Sequence, residues 1–184
     1  MKWTFSLFWL PLVAHAQASV SAPWDIKETA SALGQTVLRL RPILEQLNPA
    51  EWVANGAPDA YVSQWRNSKL DVDAIASATD ALQKQPEKLT VALNVYFKMQ
   101  VMDARLLSLN EGVRKYQNPA VAELIVGLAA ENSDNREKLR MYIADLAEQK
   151  EAELGVADRE AQRCRTVLNR QPAPAKPAAK TPGK

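Results

Sequence analysis

The chain predicts an all-α fold, a three- or four-helix bundle closed by a long C-terminal α-hairpin of residues 86–116 and 119–169. Two observations carry this. Apolar residues recur at intervals of three and four almost throughout, the period of a helix with one buried face. The breaks between these runs are cap-and-proline pairs or short turns, such as Asn48-Pro49 and Asn118-Pro119.

Residues 1–18 stand apart as a cleaved export signal. Lys2 supplies a positive start, Trp3 to Val13 is an eleven-residue, largely apolar run, and Ala14-His15-Ala16 or Ala16-Gln17-Ala18 offers the small-x-small pattern of a processing site. As a helix the run spans ~17 Å against a hydrocarbon core of about 30 Å, too short for an anchor. No arginine pair precedes it and no cysteine follows the cleavage region, so a general secretory route to the periplasm or the medium is expected. The mature chain would then begin at Gln17 or Ser19 and carry no transmembrane helix.

Residues 19–170 read as a single helical domain. Ile26, Ala30, Leu33, Val37, Leu40, Leu44 and Leu47 advance by alternating fours and threes, predicting a helix from Asp25 to Leu47, kinked near Leu38 to Arg41 because Pro42 lacks an N–H and crowds the preceding turn. Asn48-Pro49-Ala50-Glu51 opens a short helix through Trp52. Asn55-Gly56-Ala57-Pro58 is turn chemistry, and Pro58 to Trp65 predicts another short helical piece with Tyr61, Val62 and Trp65 turned inward. Asp71 to Lys84 is an amphipathic helix carrying Ile75, Ala78 and Leu82.

From Pro86 to Tyr116 the stripe of Leu89, Leu93, Tyr96, Met99, Met102, Leu106, Leu109, Val113 and Tyr116 is widened by Val95, Phe97, Val101 and Leu107, the pattern of a central helix. The last helix starts at Pro119 and keeps a near-heptad register to Leu168. Such a helix is so long that it must bend at Asn132 to Asn135 or overhang its partner. Mirror counting about Asn118 pairs Leu139 with Phe97 and Leu146 with Thr90, and the pairing runs out near Lys150. Leu154, Ala157, Cys164 and Leu168 are then expected to pack on the helix from Asp25 to Leu47. Residues 171–184, with four prolines and three lysines and no apolar period, predict a disordered tail.

Composition excludes several kinds of chemistry. The single histidine, His15, falls in the leader, so the mature chain has no imidazole for a Ser-His-Asp or Cys-His pair, a histidine zinc site, or the Glu-x-x-His motif of di-metal bundles. The single cysteine, Cys164, makes neither an internal disulfide nor a CxxC pair. With 23 basic and 21 acidic residues the chain is near neutral, and its six glycines are isolated, so neither a nucleic-acid binder nor a phosphate loop is expected. No cofactor and no metal are predicted.

Four residues are candidates for a polar site. Asn132 and Asn135 interrupt the apolar stripe, and mirror counting places them near Val101 to Arg105. They either line a ligand site with Asp103 and Arg105, or fix helix register by bonding to those two residues, or mark a bend. Trp52, Tyr61, Trp65 and Trp24 are read as core rather than as an aromatic binding surface, and Met99, Met102 and Met141 as gap-fillers. Cys164 continues the stripe of Ala157, Ala161 and Leu168, which predicts a buried small hydrophobe; the other outcome is a disulfide to a second copy.

The wording Val113-Arg114-Lys115-Tyr116 before Asn118-Pro119-Ala120, then Glu131-Asn132-Ser133 and Glu160-Ala161-Gln162-Arg163-Cys164-Arg165, resembles exported α-helical proteins of bacteria that have no known activity. The resemblance implies export and a helical fold and brings no site residues. The function expected is a non-enzymatic envelope or secreted module that binds a protein or envelope component through a helix face, with a homodimer as one form. The alternative is a small-molecule carrier or an enzyme using carboxylate and amide groups in a bundle pocket.

Overall fold

The computed structural model describes residues 23–170. The leader and the tail inferred above lie outside the described residues. Seven helices follow one another: α1 Pro23–Leu38, α2 Arg41–Glu45, α3 Pro49–Ala54, α4 Ala60–Lys84, α5 Leu89–Tyr116, α6 Pro119–Glu131 and α7 Ser133–Arg170. Helix takes up 88% of the described residues and none of them is in a strand. None of these helices is long and apolar enough to cross a membrane.

The kink at Pro42 is realised as a break. α1 ends at Leu38 and α2 begins at Arg41 with proline in its first turn, where its missing N–H costs nothing. Five of the seven helices form the four limbs of the bundle: α1, α4, α5 and the α6–α7 run. Cross-helix pairs fix their directions. Arg41 meets Asp73 and Gly34 lies on Thr79, so α1 and α2 run antiparallel to α4. Gln64 bonds Ser108 and Arg105 meets Asp71, so α4 runs antiparallel to α5. Arg114 meets Glu123 and Arg136 meets Asp103 across the hairpin, and Arg39 meets Glu131 to close the ring from the end of α1 to α6. The result is an up-down-up-down four-helix bundle, the arrangement that short connections between long helices allow.

The core runs along the facing stripes. Ile26, Ala30, Leu33 and Val37 of α1 join Val72, Ile75 and Leu82 of α4, Met99, Met102, Leu106 and Leu109 of α5, Ile125 and Leu128 of α6, and Leu139, Tyr142 and Leu146 of α7. α1 and α4 approach closely at Gly34, where a Cβ would sit 2.6 Å from Thr79 Oγ1. The aromatic connection plugs one side, its rings turned inward as expected. Trp52 is buried, Tyr61 stands edge-on between Trp52 and Tyr116, and Trp65 Nε1 donates to the Leu44 carbonyl at 2.6 Å.

Three expectations are corrected. The piece from Pro58 to Trp65 and the helix from Asp71 to Lys84 are one helix of 25 residues, because the polar stretch between them is mostly the outer face of a continuous turn, and its one buried polar side chain, Ser68, is satisfied by donating to the Gln64 carbonyl. Phe97, Val101 and Leu107 do not widen the core stripe of α5; they are exposed. The end of the last helix does not pack on α1. α1 runs antiparallel to the α6–α7 run, with Arg39, just past its end, opposite Glu131 of α6 and Ile26 beside Tyr142 of α7, so its start at Pro23 is reached before Lys150. Leu146 is the last buried residue of α7.

Candidate interaction face

Past Leu146 the helix continues for more than six turns on its own hydrogen bonds. A lone helix of this length is marginal in water, and its own side chains supply part of what holds it. Lys150 and Gln149 bond Glu153 at 2.9 and 3.0 Å, Gln162 bonds Asp158 at 2.8 Å, and Arg163 bonds Glu160 at 2.8 Å. Such i,i+3 and i,i+4 pairs favour the helical form of an exposed segment. The Lys150 ammonium on Glu153 holds that carboxyl below the usual carboxylate range. Among the described residues, none of the side-chain hydrogen bonds of residues 151–170 reaches another element.

This segment nonetheless carries an apolar stripe. Leu154, Ala157, Ala161, Cys164 and Leu168 advance by three, four, three and four, which keeps them on one side of the helix. Leu154 is 70% exposed and Leu168 64%. Cys164 is exposed too, against the burial expected from its stripe position, because among the described residues no helix of the bundle extends far enough to cover it. A stripe with core spacing and no core over it is a surface suited to receiving another helix.

The four polar candidates are not brought together. Asp103 pairs with Arg136, and Arg105 pairs with Asp71 of α4. Asn132 is buried at the junction of α6 and α7, its backbone N–H turned to the Ala130 carbonyl and its Oδ1 without a partner. Asn135 lies elsewhere, in an open groove of about 380 Å³ between α1 and α7 lined also by Glu28, Thr29, Lys138 and Met141. A second, shallower groove of about 290 Å³ between α5 and α6 holds the Asp103–Arg136 pair beside Leu107, Val126 and Asn110. Asn110 is buried and its Oδ1 also lacks a partner. Sequence reasoning missed it because an asparagine beside the stripe of a long helix reads as solvated. Among the described residues no three of His, Cys, Asp and Glu lie close enough together to hold a metal ion.

Comparison with family models, with curated proteins and with solved structures finds no match to this chain.

Proposed function

We propose that this protein is an exported, non-catalytic helical module that binds a protein partner through the projecting face of α7. The observation that carries the reading is the stripe from Leu154 to Leu168, built with core spacing and left in solvent while the four-helix core is complete without it. Burying one such leucine is worth about 1.5–3 kcal/mol, which offsets part of the freedom lost on association. The leader-like pattern of residues 1–18 supports placement in the periplasm or the medium. The polar candidates support a structural role instead of catalysis, since Asp103 and Arg105 serve separate ion pairs and neither Asn132 nor Asn135 bonds its side chain to them.

The test is site-specific photo-crosslinking in the producing cell. A photoreactive residue at Ala157 or Ala161, on the stripe, is expected to give discrete adducts, and one at Arg159, on the opposite face, none. Absence of adducts from the stripe, or equal yield from both faces, contradicts the reading.

A further inference from the structure

We propose that the projecting segment of α7 pairs antiparallel with the same segment of a second copy of this chain. This rests on the reading of that face as a docking surface and names its occupant.

Charge is divided unevenly along the segment. Residues 151–160 carry four acids, Glu151, Glu153, Asp158 and Glu160, and one base, Arg159; residues 161–170 carry three bases, Arg163, Arg165 and Arg170, and no acid. The segment is therefore −3 over its first half and +3 over its second. Laid antiparallel, each acidic half of one copy faces the basic half of the other; laid parallel, like faces like. The helix dipole favours a cation in the last turn, such as Arg170, but does not reach acids placed mid-helix.

Size and shape agree with this pairing. The stripe is small at its centre, with Ala157, Ala161 and Cys164, and large at its ends, with Leu154 and Leu168. Small central residues let two helices approach closely. With the two-fold axis between Gln162 and Arg163, Ala161 faces the partner's Cys164, Ala157 faces the partner's Leu168, and Asp158 flanks the partner's Arg165, as the a, d and e positions of an antiparallel pair require. The two Leu146 residues, where the cores end, are then ~50 Å apart along the helices, so the bundles sit at opposite ends without collision. A parallel pair forces the bundles side by side.

Two charge-swapped variants test the pairing: Asp158→Arg with Glu160→Arg, and Arg163→Glu with Arg165→Glu. Neither touches the core, so both are expected to keep the native melting temperature, with any loss of helix signal confined to the projecting segment, whose Asp158–Gln162 and Glu160–Arg163 pairs they alter. Protein purified from cells expressing the full chain is followed by sedimentation velocity over a dilution series, at low salt and with reductant. Wild type should form a dimer, each variant alone should lose roughly tenfold or more in self-affinity, and mixing the two should restore a dimer containing one of each. A wild type that stays monomeric, a dimer indifferent to both swaps, or variants that dissociate and are not rescued by mixing would each overturn the pairing. Failure of the underlying reading is distinguishable: it shows as no stripe-specific adduct from Ala157, whereas a monomer whose Ala157 still crosslinks to a different protein removes the self-pairing alone.

Discussion

Tyr142 is where one side chain closes the end of the bundle. Its hydroxyl donates to the Pro86 carbonyl at 2.7 Å across a buried contact, tying α7 to the turn before α5. Burial, aided by the Glu87 carboxylate, pushes the phenol above its ordinary pKa. A phenol pKa raised in the folded state means that the folded chain holds its proton more tightly than the unfolded one. The contribution to stability is then fully present below the unfolded pKa near 10 and is lost as pH rises through the folded value. Tyr142→Phe is expected to cost about 1 kcal/mol near neutrality, and thermal melts at rising pH should show wild type losing stability above pH ~10 faster than the variant. A constant gap between the two curves would contradict this account of Tyr142. The burial of Tyr142 was legible in its stripe position. The partner of its hydroxyl was not, because Pro86 is distant in sequence and only the docked hairpin brings it near. Cys164 shows the converse, since three-four spacing encodes which face a residue occupies and not whether anything covers that face.

Among the elements, the junction of α6 and α7 shows what a single polar residue does to a long helix. Sequence spacing offered a bend at Asn132 to Asn135 or an overhang; the run is interrupted at Asn132, where α6 stops at Glu131 and α7 starts at Ser133, and α7 outruns its partners after Leu146. Asn132 sits between them at φ −86° and ψ −2°, with Oδ1 buried and unbonded. A buried, unpartnered carbonyl costs about 1–3 kcal/mol. Asn132→Leu is therefore expected to raise the melting temperature, while Asn135→Leu, in the open groove beside α1, should change it little. A fall in stability with Asn132→Leu would show that the amide holds something in place. The union of residues 60–84 into one helix was not legible, since the stretch from Arg66 to Leu70 carries little apolar period of its own and becomes helical between two well-packed ends.

At the scale of the whole molecule, three helices of the bundle end where their neighbours end and the fourth does not. The all-α class, the hairpin at Asn118-Pro119 and the aromatic plug were all legible, because each follows from periodicity or from the chemistry of caps and turns. The length of mutual overlap was not, since it depends on how far α1 reaches along α7, and counting from one turn sets register only between the two helices that the turn joins. The central claim is that α7 past Lys150 belongs to the surface and not to the fold. It is tested most directly by melting the chain truncated after Lys150 beside the full chain, both dilute enough to be monomeric. Equal melting temperatures are expected, with a loss of helix signal matching the residues removed. Each 1 kcal/mol of lost core packing would lower the midpoint by about 2–4 °C in a domain of this size. A fall of several degrees on truncation would mean that the segment packs on the bundle, and would contradict the claim.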